Sequence, residues 1–93
     1  MIAAVVCSAP FVRDFVRALE SRGFDGWTMI PKVLGKGGRS DPQMDDDVWP
    51  GYSALLLVFF PPERADEMRD LLREYDRKVA PFKAFLFRGV EEI

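Results

Sequence analysis

Tyr52-Ser53-Ala54-Leu55-Leu56-Leu57-Val58-Phe59-Phe60, followed at once by Pro61-Pro62-Glu63, is the stretch that decides the fold. The run from Ala54 to Phe60 is apolar without interruption, and the two prolines end it. A short apolar run closed by a breaker reads as a buried strand. Side chains alternate faces along a strand. Leu55, Leu57 and Phe59 therefore share one face, and Ala54, Leu56, Val58 and Phe60 the other. Both sets are apolar, so a sheet containing this strand must be covered on both sides.

Working outward, Pro61-Pro62-Glu63 starts a helix, with Glu63 at the positive end of its dipole. Ala65, Met68, Leu71, Leu72 and Tyr75 form the buried face. Phe82–Phe87 is a further strand in which Phe85 and Phe87 oppose Phe82, Ala84 and Leu86, again apolar on both sides. Upstream, Ile2–Cys7 reads as a strand rich in Val and Ile. Pro10 suits a helix start, where its missing N–H would be unpaired anyway. Val12, Phe15, Val16 and Leu19 share one helical face, Arg13, Asp14, Arg17 and Glu20 the other, and Gly23 supplies a left-handed cap. Gly26–Leu34 is a second strand.

The order strand–helix–strand–strand–helix–strand is the α+β, ferredoxin-like βαββαβ plan. Right-handed crossovers put both helices on one face of a four-stranded antiparallel sheet. No third layer is available from 93 residues. The uncovered apolar face therefore predicts association with other copies of the chain, as a closed homo-oligomer.

The length fits one domain, residues 1–93. A net charge of −2 with interspersed charges argues against nucleic acid as a partner. One cysteine, Cys7, excludes an internal disulfide and suits a reducing cytoplasm. Ile2–Cys7 is too short for a signal peptide and lacks a basic flank. No stretch approaches the apolar length of a membrane span. The absence of histidine and asparagine removes the commonest general base, and no serine or cysteine triad of the usual form can be assembled. An enzyme is not expected.

Function is sought in the polar, glycine-punctuated segment between Leu34 and Tyr52. Gly35-Lys36-Gly37-Gly38-Arg39 offers backbone amides and two cations, which suit either an anion site or a flexible hinge. Ser40, Asp41, Gln43, Met44 and Trp49 are the candidate partner-binding face. Asp41, Asp45, Asp46 and Asp47 are possible oxygen ligands for a divalent metal. Three consecutive carboxylates do not easily converge on one ion, however, so a solvated acidic loop pairing with Lys36 and Arg39 of a neighbour is the favoured reading. Trp49-Pro50-Gly51-Tyr52 has the pattern of a type II turn, with Trp49 either a packing anchor or a binding hot spot. Lys83 and Arg88 fall on opposite faces of a regular fourth strand, and either could face a cleft.

Several segments together resemble the P-II signal-transduction proteins. Ala18-Leu19-Glu20-Ser21-Arg22-Gly23-Phe24-Asp25-Gly26-Trp27-Thr28 is similar to their junction of first helix and second strand. Val33-Leu34-Gly35-Lys36-Gly37 resembles their entry into the long T-loop, and Lys83-Ala84-Phe85-Leu86-Phe87 through Val90-Glu91-Glu92-Ile93 their last strand. Ala9-Pro10-Phe11 stands where they often carry Pro-Phe. The resemblance implies a homotrimer with sheets facing inward and a small effector, nucleotide or other anion, in clefts between subunits. It also implies a T-loop, about residues 35–51, that acts on a target protein such as a membrane transporter or enzyme. Lys83 stands where that family has a phosphate-contacting lysine. The connection Tyr75–Phe82 departs from the pattern, being short and without glycine, so the usual phosphate cradle is missing. A CutA-like metal-binding trimer is the alternative, against which the missing histidine and lone Cys7 weigh. Acylphosphatase, of the same fold, needs an asparagine that is absent, and an RNA-recognition module needs aromatic motifs that are absent.

Overall fold

The run beginning at Ala54 is an inner strand. The structure, a computed structural model, describes all residues from Met1 to Ile93. Its elements are β1 (Ile2–Ser8), α1 (Val12–Ser21), β2 (Trp27–Val33), β3 (Ser53–Phe59), α2 (Ala65–Lys78) and β4 (Phe82–Phe87). Each helix is preceded by a single 3₁₀ turn, Ala9–Phe11 or Pro62–Arg64, with proline in its first positions. The sheet order is β2-β3-β1-β4 and every neighbouring pair is antiparallel. This is the expected ferredoxin-like plan, with the two most apolar strands, β1 and β3, side by side in the interior.

Pro31 stands in β2, an edge strand, where a missing N–H breaks no interior ladder. The β2–β3 register slips between Ile30 and Val33 to accommodate it. At the end of α1, Gly23 takes φ +79°. Its N–H donates to the Glu20 carbonyl at 3.0 Å and the Phe24 N–H to the Leu19 carbonyl at 2.9 Å. That pair of bonds is a Schellman cap. Arg64, inconspicuous in sequence, completes the helix end: its guanidinium donates to the Arg22 and Gly23 carbonyls and lies 3.8 Å from the centre of the Phe24 ring.

Both helices cover the same sheet face. Phe15 and Leu19 of α1, and Met68, Leu71, Leu72 and Tyr75 of α2, join Ala3, Val5, Cys7, Ala54, Leu56 and Val58 in one core. Phe15 packs edge-on against Tyr75 and Phe82, with ring centres 5.0 and 5.7 Å apart. The Tyr75 hydroxyl donates to Asp14 Oδ2 at 2.6 Å, which satisfies the one polar atom that burying this ring brings in.

The other sheet face has no cover within the chain. Strand register sets three rows across it: Phe59, Ile2 and Phe87; Thr28, Leu57, Ala4 and Phe85; Ile30, Leu55, Val6 and Lys83. Only Thr28 and Lys83 are polar. Phe85 is 54% exposed, Phe87 and Ile30 51%, and Phe59 45%. Isolated exposed apolar residues are ordinary, but a contiguous grid is not.

Burial, and secondarily the Asp14 charge, pushes the Cys7 thiol up from 9.0 to about 11. Burial, then the bond to Asp14, also raises Tyr75. Both groups stay neutral in the fold at pH values where the unfolded chain ionises. Their contribution is therefore complete below pH 9 and is lost as pH rises toward the folded values. The urea midpoint should hold up to that point and then fall. The Cys7 share is roughly 2 kcal/mol, and Cys7→Ala should abolish the portion of the decline that begins below the tyrosine range.

Candidate functional site

The polar, glycine-punctuated segment joining β2 and β3 is a two-storey, self-bonded loop. In the lower storey, the Gly35 N–H donates to the Gln43 carbonyl at 2.9 Å and the Gln43 N–H donates back to Gly35 at 2.7 Å. This bridge closes residues 36–42 into a ring. Inside it, the Gly37 N–H donates to Ser40 Oγ at 3.2 Å and Lys36 Nζ to the Gly37 carbonyl at 3.0 Å.

The upper storey, Met44–Gly51, is built around Asp46. Its Oδ1 accepts the Val48 N–H at 3.1 Å and the Trp49 N–H at 2.6 Å. The Met44 and Asp46 N–H groups donate to the Trp49 carbonyl, and the Asp45 N–H to that of Gly51. Asp45 and Gly51 take positive φ, 54° and 91°, and aspartate and glycine tolerate that region best. Gly51 thus adopts the backbone that a type II turn would ask of it. The Trp49 carbonyl accepts from Met44 and Asp46, and the Tyr52 N–H makes no bond to it, as in many turns. Gln43 joins the storeys to the sheet, because the Ser53 hydroxyl donates to its Oε1 and Ser53 is 2% exposed.

Between the lower storey and the α2–β4 connection lies a cleft of about 720 Å³. Gly35, Lys36, Gly37, Gly38, Arg39, Ser40, Asp41, Gln43 and Lys83 all line it, so most of the sequence-predicted residues come together. Val6 and Leu55 line its sheet side, and Asp76 with Val79–Phe82 forms the far wall. The chain's four ion pairs are Arg22–Glu74, Lys32–Asp45, Arg64–Glu67 and Arg69–Asp66. None uses Lys36, Arg39 or Lys83, which outnumber the cleft acids Asp41 and Asp76. The Gly38 and Arg39 N–H groups make no hydrogen bond within the chain.

Arg88 is not part of this cleft. It lies beyond the end of β4, in a separate 480 Å³ depression beside Met1, Glu63 and Arg69. Asp45, Asp46 and Asp47 do not converge as metal ligands, and no group of three acidic or sulfur side chains in the structure does. Asp45 is paired with Lys32 of its own chain, and that bond raises the Lys32 ammonium. Asp46 is occupied with backbone amides. Trp49 is held through its backbone, its side chain 39% exposed beside Met44 at 44% and Val48 at 72%. Asp76 and Val79–Pro81 belong to the Tyr75–Phe82 connection, which the sequence marks only by its lack of the glycines of a phosphate loop; Ser53, a lone hydroxyl at the head of an apolar strand, was not singled out.

No family model matches the sequence, and no curated protein matches it. Solved structures do. The fold overlays with TM-score 0.68 on a PII-like signalling protein of Thermus thermophilus, at 21% identity over 90% of this chain and 80% of that one. With CPII of Thiomonas intermedia, solved with ADP and bicarbonate, the TM-score is 0.70 at 13% identity, over 90% of this chain and 79% of that one. With a DUF3240-family protein of Shewanella baltica it is 0.69 at 9% identity, over 99% and 93%. The architecture is thus a ferredoxin-like sheet with a long β2–β3 loop at the end of the sheet where β2 finishes and β3 begins. Within that class the chain has a divergent PII-like fold.

Gly51→Ala puts a side chain at φ +91° with the Gln43 carboxamide 3.4 Å from its Cβ. It should cost about 1–2 kcal/mol. Gly38→Ala meets no atom within 4 Å and should stay within about 0.5 kcal/mol of the parent. Urea titrations of the two variants check the pair.

Proposed function

We propose that this chain is a PII-like regulator, not an enzyme, that binds a small anionic effector in the Gly35–Lys83 cleft and signals to a target protein through loop 35–51. One observation carries the reading. Two segments far apart in sequence, the glycine ring and β4, bring three cations without carboxylate partners to one cleft. Unpaired cations beside free amides are the ingredients of an anion site. The cleft volume exceeds what a single carbonate-sized ion fills, and its sheet side is apolar. An anion with an apolar portion, such as a nucleotide, suits that combination. That CPII was solved with ADP and bicarbonate makes these two the first probes.

The connection Val79–Pro81 has no glycine, so phosphate contacts would fall to the ring amides, Lys36, Arg39 and Lys83. The exposed rows on the outer sheet face support a homotrimer in which each copy covers its neighbours' sheets. No helix is long and apolar enough to cross a membrane, and the buried free thiol of Cys7 fits residence in a reducing cytoplasm. The exposed Met44, Val48 and Trp49 side chains provide apolar contact for a target protein, whether transporter or enzyme; nucleic acid is not expected.

ADP at a hundredfold excess over its Kd should stabilise the protein by about 2.7 kcal/mol in thermal denaturation. Lys83→Ala should weaken ADP binding about tenfold or more, the weight of one charge-assisted hydrogen bond. No thermal shift with ADP, bicarbonate or both would refute the effector reading.

Assembly is checked separately by sedimentation. The parent should run as a trimer at micromolar concentration, and Phe85→Asp or Phe87→Asp should run as folded monomers. A parent that sediments as a monomer would remove the trimer.

A further inference from the structure

We propose that Asp76 and the open carbonyls beside it form an acceptor wall for vicinal hydroxyls, which makes the effector an anion with a sugar at its other end. This rests on the effector reading above and names the chemical class that the cleft takes. The cleft is polarised. On the ring side the Gly38 and Arg39 N–H groups are open, and Lys36 and Arg39 outnumber Asp41. That side donates hydrogen bonds and favours negative charge.

The opposite wall is built of acceptors. Asp76, in the last turn of α2, has no ion-pair partner in the chain. A helix leaves its last carbonyls without intrahelical donors, and here the carbonyls from Asp76 to Ala80 receive no backbone N–H. Donors are scarce on this wall. The Val79 N–H is spent on the Tyr75 carbonyl at 2.9 Å and Pro81 has none, which leaves that of Ala80. Arg77 and Lys78 follow Asp76 but do not line the cleft, and Lys78 Nζ lies 4.3 Å from the centre of the Tyr75 ring.

Such a wall repels phosphate and accepts hydroxyl. A carboxylate is the group that holds ribose hydroxyls in dinucleotide-binding sheets, and a hydrogen bond to an ionised acceptor is a strong one. A bare anion such as pyrophosphate would use the ring side alone and meet Asp76 as a like charge. A phosphorylated sugar meets both walls, and a nucleotide adds a base for the apolar shelf of Val6 and Leu55.

The sign of the Asp76→Ala effect in calorimetric titration tests the wall. If Asp76 acted through its charge alone, its removal would tighten every anion. Asp76 is exposed and alanine is the best helix former, so the variant keeps its fold. The parent should bind ADP about tenfold more tightly than 2′,3′-dideoxy-ADP. Asp76→Ala should weaken ADP about fivefold, and leave dideoxy-ADP and pyrophosphate unchanged or tighter. Asp41→Ala, on the ring side, should tighten all three. Ribose 5-phosphate separates the two sources of hydroxyls. Weaker binding than ADP with the same loss in Asp76→Ala supports the wall with a nucleotide on it, and equal binding supports it with a sugar phosphate. ADP bound as tightly or more tightly by Asp76→Ala overturns the proposal, as does a parent that does not distinguish ADP from dideoxy-ADP; either result leaves the effector reading standing. A parent that binds none of these ligands refutes the effector reading and the wall with it.

Discussion

Everything in this molecule follows from a sheet that is apolar through its full thickness. On the inner side, Phe15, Leu19, Met68 and Leu71 cover β1 and β3, and the core is closed. On the outer side, three rows running from Phe59 to Phe87, from Leu57 to Phe85 and from Ile30 to Val6 stand open. Fully burying an aromatic side chain is worth about 2–3 kcal/mol, and Phe59, Phe85 and Phe87, each about half exposed, have roughly half of that still to gain, which together favours association. Lys83 is the one charge in the grid, at its β4 edge, where the sheet side of the cleft begins. The placement is economical on the trimer reading, because the edge of a covered face is where a subunit boundary and an ion-binding cleft can coincide.

The second constraint is the hydrogen bonding of the β2–β3 segment. Outside regular structure, backbone amides must find acceptors or water. Here Gln43, Asp46 and Ser40 supply side-chain oxygens or backbone clamps at close intervals. The segment therefore holds a definite shape while leaving Gly38 and Arg39 unpaired over the cleft.

Strand and helix positions were readable because hydrophobic periodicity reports them directly. The Phe82–Phe87 strand and the Gly23 cap appear where the pattern places them, and the doubly apolar strands do expose a second face. The cleft was half readable. Glycine beside lysine and arginine is a visible signature, but Asp76 and Val79–Pro81 become a wall only through the fold. Arg88 was misplaced because alternation holds only within a strand, and β4 ends one residue earlier. The aspartate run left a metal site readable beside the favoured acidic loop because charge composition does not show that Asp46 turns back onto amides and Asp45 onto Lys32. Arg64 was invisible: its partners are carbonyls at the end of another helix.

Charge along the loop is sorted, and the sorting has a mechanical consequence. Lys36 and Arg39 stand in the ring, and Asp45, Asp46 and Asp47 follow in the tip without an intervening cation. The two tip carboxylates with partners are satisfied locally, by Lys32 and by amides, whereas the ring cations are not. Charge without an ionic partner therefore sits at both ends, positive at the cleft and negative at Asp46 and Asp47 in the tip. Mutual repulsion among Lys36, Arg39 and Lys83 opposes closure of the empty cleft, and an anion would reverse the sign of that force. All three cations are exposed, so water and salt screen that force, and it biases the loop rather than locking it. The tip needs no charge of its own to change; it has only to be fastened to the ring, and the Gly35–Gln43 bridge fastens it.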